Sequence, residues 1–281
     1  MVTTKENEMK REKKFSHVIV VTLVVLLFMV ACGAPTPPST AKPVPTSTPT
    51  LVATKQKWDY VALGESITYG MVERYAEMLE EDLGVKIDLH DWQVPGEHSS
   101  SLLKKLRTNE LLRRELQEAE VITFLIPLGV ISGPMRTFGR GEPGACGGED
   151  NQDCLRKAFA TYMADTDGII AEIVSLRSPS EALIRTQDTW QLKVRETQQT
   201  GSFEIFNGYW REANAHVIDV ATSYDIPVAR IYDAFMGEDG AEDPRAQGLL
   251  QADGLHPTPK GSTLMAEFFR QLGYEYAQDT P

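Results

Sequence analysis

Short apolar runs alternate with amphipathic segments along most of this 281-residue chain. The apolar runs predict buried strands, and apolar residues repeated at helical spacing predict helices between them. The predicted strands are 58–63, 85–92, 121–126, 182–185 and 228–231, and the predicted helices are 72–83, 101–116, 155–176, 206–224 and 260–272. This alternation is typical of a parallel sheet with helices on both faces. A glycine-rich segment, 127–151, is predicted to be a long loop, and its part from 128 to 148 is long enough to form a lid or a wall of a binding site.

The first predicted strand ends at Gly64, and Ser66 follows two residues later. Glycine allows the backbone to turn sharply where the strand ends. Because open α/β sheets bind ligands beyond the carboxyl ends of their strands, Ser66 is a candidate nucleophile. Serine is also common in turns and at helix N-caps, so this position alone leaves a purely structural role open.

The segment Asp253-Gly254-Leu255-His256-Pro257 supplies the other groups that a serine nucleophile needs. A serine hydroxyl must give its proton to a neighbouring base during attack, and an imidazole is suited to accept it. His256 is therefore the candidate base, and Asp253, three residues earlier, is the candidate that orients it. Asp-Gly and His-Pro are also turn dipeptides, so a plain surface turn is the alternative for this segment.

These residues resemble the motifs of the SGNH (GDSL-type) hydrolase family over roughly residues 56–275. The resemblance rests on Gly64-Glu65-Ser66, on Gly96, and on the segment from Asp253 to Pro257. It implies a three-layer α/β/α sandwich of the flavodoxin-like type and a serine esterase or acyl hydrolase with a Ser66, His256 and Asp253 triad. The backbone N–H of Ser66 is one expected oxyanion donor, and the resemblance implies that the N–H of Gly96 is another.

Two of the family's motifs are altered in this chain. The family has an asparagine just after the third strand, whereas this chain runs Phe124-Leu125-Ile126-Pro127-Leu128-Gly129, with Gly129 or a neighbour at the expected position. The third oxyanion donor is therefore absent, or it is supplied by Ser132, Asn151 or a backbone amide. Glu65 also replaces the aspartate that is usual before the nucleophile.

Composition narrows the choice of partners. The formal net charge of −12 makes nucleic acid a poor candidate. No zinc-type spacing of cysteine and histidine occurs, and we expect neither a metal nor an organic cofactor. The expected substrate is a small or surface-borne ester: an acetylated glycan, a short-chain ester or a lysolipid. The missing asparagine leaves one rival function, a catalytically degenerate surface protein that binds glycan or lipid.

The amino terminus has the pattern of an export signal. Basic residues between Lys10 and Lys14 precede an apolar run, 18–31, that is short for a transmembrane helix. Ala31 directly before Cys32 resembles a bacterial lipoprotein signal, which implies cleavage of residues 1–31 and lipidation of Cys32. An uncleaved signal anchor is the alternative. Both place the rest of the chain outside the cytoplasm, and the lipoprotein would be anchored at the outer face of the cytoplasmic membrane.

The remaining chain divides into a tether and a domain. Residues 32–55 are rich in Pro, Thr and Ser and predict a semi-extended tether, and residues 56–281 form the expected hydrolase-like domain. With Cys32 lipidated, Cys146 and Cys154 remain as an even pair in an oxidising compartment, where a disulfide between them is expected. Two free thiols are the alternative.

Overall fold

The computed structural model describes residues 57–277. The predicted signal peptide, Cys32 and the tether lie outside the described residues. Within the described range, no helix has both the length and the apolar character that crossing a membrane requires.

The strands of the described region form one parallel sheet in the order β2-β1-β3-β4-β5. They are β1 Lys57–Leu63, β2 Lys86–Asp91, β3 Val121–Phe124, β4 Leu183–Gln187 and β5 Val228–Ala229. This is the flavodoxin-like strand order, in which the chain direction across the sheet reverses between β1 and β3. β3 and β4 are buried along their whole length, as expected for central parallel strands covered on both faces.

Helices cover both faces of the sheet. They are α1 Met71–Leu83, α2 Ser99–Thr108, α3 Glu110–Glu118, α4 Gly129–Gly139, α5 Asp153–Leu176, α6 Val194–Gln199, α7 Phe203–Ser223, α8 Ile231–Met236 and α9 Pro259–Gln271. Helix α1 packs against α9, whereas α2, α4 and α7 pack against α5. The predicted three-layer α/β/α sandwich is confirmed.

The helical segment predicted over 101–116 is two helices in the structure. Asn109 lies between α2 and α3, and its side chain accepts a hydrogen bond from the N–H of Leu112. An asparagine in this N-cap position satisfies a backbone donor that the new helix leaves unpaired. The chain therefore changes direction at Asn109 without exposing a bare helix end.

The prediction of a continuous loop over 127–151 was wrong, because its first half forms α4. The helix contains Gly133 and Pro134, residues with low intrinsic helix propensity, and this composition hid it from the sequence pattern. Its packing against α5 and the burial of Ile131 outweigh that low propensity. The short helices α6 and α8 were also absent from the sequence prediction.

Candidate active site

Ser66 lies directly beyond the carboxyl end of β1, at the first position of a single 3-10 turn, Ser66–Thr68. The preceding Gly64 has φ of +150°, and a Cβ there would lie 3.1 Å from Thr68 Oγ1 and 3.3 Å from Leu125 Cβ. A larger residue would be strained in this backbone conformation and would crowd the neighbouring strand. Gly64 therefore allows the tight turn that sets Ser66 at the edge of the sheet.

His256 reaches Ser66 from the far end of the described chain. The distance from His256 Nε2 to Ser66 Oγ is 3.0 Å, which is within hydrogen-bond range. The start of α9 holds the two segments together, because Ser262 Oγ donates to the carbonyl of Tyr69 at 3.0 Å. Thr258 caps the same helix through a hydrogen bond from the N–H of Gly261.

Asp253 orients His256 from within the same turn. The Nδ1–H of His256 donates to Asp253 Oδ2 at 2.7 Å. The other carboxylate oxygen accepts from the backbone N–H groups of Leu255 at 2.9 Å and His256 at 3.1 Å. One carboxylate thus fixes both the turn and the ring, and it leaves Nε2 to face Ser66.

The pKa of Asp253 lies below its usual range. Partial burial acts to raise it, but the hydrogen bonds from the His256 ring and from the amides of Leu255 and His256 outweigh burial. A carboxylate accepting this many hydrogen bonds stays ionised at neutral pH. It can therefore stabilise a positive charge on the neighbouring imidazole.

Glu65, whose role the sequence left open, ties the nucleophile turn to the segment after β3. Its Oε1 accepts a hydrogen bond from the N–H of Leu128 at 2.7 Å. Burial raises the pKa of Glu65, and interactions with the amides of Leu128 and Gly96 oppose that rise. The Gly96 amide therefore lies near the Glu65 carboxylate. By contrast, the N–H of Ser66 has no hydrogen-bond acceptor among the described residues.

Gly129 brings the turn after β3 against the loop that carries Gly96. Its N–H donates to the carbonyl of Glu97 at 2.9 Å. A Cβ on Gly129 would lie 2.3 Å from the Glu97 oxygen and 2.6 Å from the Gly96 oxygen, far inside contact distance. Only glycine permits this approach of the two backbones. The neighbouring Leu128 lines the cavity beside Ser66, so neither Gly129 nor Leu128 supplies a side-chain donor like that of the family's asparagine.

A cavity of about 700 Å³ opens beside Ser66 and His256. Apolar side chains form much of its lining: Ile67, Leu128, Met135, Leu192, Phe206 and Leu255. Met135 belongs to α4, so the segment predicted as a lid or a wall contributes a helical wall. Three cations, Arg136, Arg140 and Lys193, also line the cavity. The sequence analysis missed the arginines because their helical spacing lay within a presumed loop.

Of the sequence candidates for a third oxyanion donor, Ser132 lines the cavity and Asn151 does not. Asn151 instead accepts from the N–H of Cys146 and donates to the carbonyl of Glu142, within the loop after α4. The expected disulfide between Cys146 and Cys154 is present and confirmed. Cys146 packs with Leu155 and Phe206 in a small apolar cluster.

The described residues hold one group with potential metal ligands. Asp59, Asp88 and His90 bring three ligand atoms within 4.8 Å of one another at the β1–β2 edge of the sheet. Asp88 is ion-paired with Lys57, and His90 also contacts Glu115 at 3.2 Å. None of these residues lines the cavity beside Ser66 and His256.

No family model matches the sequence. A curated relative, the spore germination lipase LipC of Bacillus licheniformis, is 23% identical over 226 residues, which cover 76% of this chain and 96% of the relative. The lipase Lip_vut3 from a goat rumen metagenome is a solved structure that superposes with a TM-score of 0.62 at 22% identity, covering 78% of this chain and 98% of that one.

Two further solved structures share the fold. The acetylxylan esterase Axe2 of Geobacillus stearothermophilus has a TM-score of 0.54 at 15% identity, covering 79% of this chain and 97% of that one. A protein named as a GDSL-like lipase, from Parabacteroides merdae, has a TM-score of 0.53 at 15% identity, covering 76% of this chain and 94% of that one. The resemblance found in the sequence motifs is therefore confirmed at the level of the fold: this chain has the α/β fold of the SGNH (GDSL-type) hydrolases.

Proposed function

We propose that this chain is a carboxylic ester hydrolase that works through a covalent acyl-Ser66 intermediate. The hydrogen-bonded series from Ser66 through His256 to Asp253 carries the proposal. It combines a nucleophile, a base and an orienting carboxylate at the mouth of a largely apolar cavity. The names of the relatives, which are lipases and an acetylxylan esterase, agree with ester hydrolysis.

Acylation begins when Ser66 Oγ attacks the ester carbonyl carbon and its proton passes to His256 Nε2. Asp253 accepts a hydrogen bond from Nδ1–H and stabilises the resulting imidazolium without taking its proton. The tetrahedral intermediate then collapses, the bond from the carbonyl carbon to the alcohol oxygen breaks, and Nε2 returns the proton to the departing alcohol. The products of this step are a free alcohol and acyl-Ser66.

Deacylation repeats the same steps with water. His256 Nε2 takes a proton from the water as its oxygen attacks the acyl carbon. The bond to Ser66 Oγ then breaks, and Nε2 returns the proton to the serine. The carboxylic acid leaves, and the triad is restored without any net change in its protonation.

Backbone amides stabilise the oxyanion in both steps. The N–H of Ser66 is free to donate, whereas the N–H of Gly96 also interacts with Glu65. Because Leu128 adds no donor, we expect a slower chemical step than a complete oxyanion hole would give. Loss of one such donor typically lowers kcat by about 10²–10³-fold.

We also propose that the enzyme works outside the cytoplasm as a lipoprotein. The basic and apolar pattern before Cys32 supports this location. The disulfide between Cys146 and Cys154 agrees with it, because such bonds persist in oxidising compartments.

The test is hydrolysis of p-nitrophenyl acetate, butyrate and octanoate by the full chain in mild detergent. The Ser66→Ala variant should lose turnover and labelling by a fluorophosphonate, because both require the serine hydroxyl. Ser101→Ala, which alters an exposed serine on α2, is the matched control and should behave as the parent protein. Equal background rates in parent and Ser66→Ala, without labelling of the parent, would refute the enzyme and favour the glycan- or lipid-binding alternative.

A further inference from the structure

The catalytic cavity carries unpaired positive charge although the chain as a whole has a net charge of −12. Arg136, Arg140 and Lys193 line it, and within the described residues none has a side-chain hydrogen-bond partner or an ion-pair partner within 4 Å. The acids that line the cavity are Glu65 and Glu196. Other groups of the protein engage both acids, and neither acid forms an ion pair with any of the three cations.

The engagement of the two acids is specific. Glu65 is buried and accepts the N–H of Leu128. Glu196 forms a two-bond pair with Arg245, at 2.7 and 2.8 Å. Arg245, unlike the three cavity cations, has its charge met by a carboxylate of the protein. The cavity therefore offers a surplus of positive charge to whatever enters it.

Arg136 and Arg140 lie four residues apart in the last turn of α4 and its C-cap. Side chains at this spacing are neighbours on one helix face, and like charges there oppose each other. The fork of a guanidinium matches the paired oxygens of a phosphate or carboxylate and binds them through two parallel hydrogen bonds. Two adjacent arginines that face a cavity are therefore well suited to hold an anion.

Lys193 is fixed beside the catalytic turn. Its backbone has φ of +56°, which is sparsely populated by residues other than glycine. Its N–H donates to the carbonyl of Gly254 at 3.0 Å, between the two residues Asp253 and His256. Backbone strain of this kind concentrates at functional sites and ligand clamps. The backbone of Lys193 is thus anchored to the turn that carries the base, while its side chain is exposed at the cavity.

The same cavity offers apolar surface from Met135, Leu192, Phe206 and Leu255. Apolar surface favours an acyl chain, since its burial removes it from water. We propose that the substrate is an amphiphilic ester whose alcohol part carries an anionic group, of which phosphate is the type case. Arg136, Arg140 and Lys193 hold the anion while the acyl chain occupies the apolar part. This inference rests on the proposed ester hydrolysis, and it disfavours uncharged acetylated glycans.

Two esters with the same acyl chain and glycerol unit test the proposal: 1-octanoylglycerol and 1-octanoylglycerol 3-phosphate. The full-length parent should prefer the phosphate ester by at least about tenfold in kcat/KM, since a factor of ten corresponds to one modest ionic contact. The Arg136→Gln/Arg140→Gln variant should lose this preference through KM. The readout is the ratio of kcat/KM for the two esters within each protein, so a general change in activity affects both esters alike and does not alter the ratio.

Arg114→Gln is the matched control, since Arg114 is exposed on α3 and does not line the cavity. It should keep the parent's preference. Cations near a helix carboxyl end also interact favourably with the helix dipole, so a purely structural role predicts lower thermal stability with unchanged selectivity. That pattern, or an equal preference for both esters in the parent, would overturn the inference while leaving the esterase itself intact.

Two further measurements distinguish the phosphate group of a soluble substrate from a lipid surface as the origin of the preference. Turnover of the phosphate ester below its micelle concentration, with inhibition by glycerol 3-phosphate, would assign the preference to the soluble phosphate group. A preference seen only with anionic vesicles would assign it to a lipid surface rather than to the substrate bound in the cavity, and would overturn the inference. Failure to turn over either ester, together with no fluorophosphonate label on Ser66, would instead remove the proposed function on which it rests.

Discussion

The side chain of Glu65 and the backbone of Leu128 are joined by a 2.7 Å hydrogen bond from the Leu128 N–H to Oε1. This bond links the residue before the candidate nucleophile to the turn after β3. The Glu65 carboxyl is buried, and burial raises its pKa, while the amides of Leu128 and Gly96 oppose the rise. Burial therefore makes the ionised form of the Glu65 carboxyl less favourable in the folded protein than in water.

Replacement of Glu65 by glutamine should therefore change the free energy of unfolding by an amount that depends on pH. A group whose pKa is raised by folding contributes stability below its unfolded pKa, and the contribution is lost as the pH rises through the folded value. Glu65→Gln is neutral throughout, so its free energy of unfolding relative to the parent should increase from about pH 4 toward neutrality. Urea unfolding at several pH values measures the difference. Glu149→Gln, at an exposed position, is the control, and an identical trend there would contradict the prediction.

Asp253→Asn should lower kcat on p-nitrophenyl butyrate with little effect on KM. Asparagine can still accept the two backbone hydrogen bonds of the turn, but its amide cannot stabilise an imidazolium at His256. The expected loss is roughly 10⁴-fold, the size seen for the equivalent change in a serine protease. Asp219→Asn on the exposed face of α7 is the control. A loss of less than tenfold would show that Asp253 is not the orienting acid.

Leu128→Asn should increase the rate. The side chain at this position lines the cavity with Ser66 and Gly96, so an asparagine would add a donor near the oxyanion. Since removal of one donor costs about 10²–10³-fold in kcat, that range is the upper limit of the gain. Leu128→Ala removes the leucine without adding a donor and is the matched comparison. If the two variants hydrolyse p-nitrophenyl butyrate equally fast, Leu128 does not occupy the donor position.

Gly129→Ala should lower both stability and kcat. Its Cβ would meet the carbonyl oxygens of Glu97 and Gly96 at 2.3 and 2.6 Å, and relief of that clash must move the Gly96 loop. Gly208→Ala, at an exposed position inside α7, is the matched comparison, because the new Cβ meets no atom within 4 Å beyond its chain neighbours and its own helix backbone, and it should stabilise the protein by about 0.5–1 kcal/mol. Thermal unfolding and kcat for both variants give the comparison, and similar behaviour of the two would contradict it.

Removal of the disulfide should affect binding of the acyl chain more than the rate of the chemical step. The bond spans eight residues, and a short loop of this kind contributes about 2–3 kcal/mol to the free energy of unfolding. Cys146 packs against Phe206, which lines the cavity, so Cys146→Ser/Cys154→Ser should raise KM for octanoate more than for acetate. An unchanged ratio of the two KM values would show that the disulfide does not shape the part of the cavity that binds the acyl chain.

The sequence was sufficient to predict that Ser66, His256 and Asp253 could act together, because each lies in a short motif and the motifs together resemble those of one hydrolase family. The structure brings these three side chains into one hydrogen-bonded series. The strands β1 and β3 were also predictable, since each contains a buried apolar run that ends near turn residues. Their carboxyl ends set the edge of the sheet at which the site lies.

The remaining parts of the site depend on contacts between distant segments, which a local pattern does not carry. Helix α4 was hidden by Gly133 and Pro134 and exists because it packs against α5. The partner of Glu65 is a backbone amide 63 residues away. Arg136, Arg140 and Lys193 become one group only when the fold brings α4 and the start of α6 around the same cavity.

In the proposed mechanism, the sequence separation of 190 between Ser66 and His256 sets the order in which the parts of the site are synthesised. A ribosome releases the nucleophile long before the base, and α9, which anchors the base against the nucleophile turn, is later still. A nascent chain or a truncated product therefore carries a serine that nothing activates. If the proposed triad is correct, ester hydrolysis requires a chain that has been synthesised through α9 and folded, so activity can serve as a test of folding.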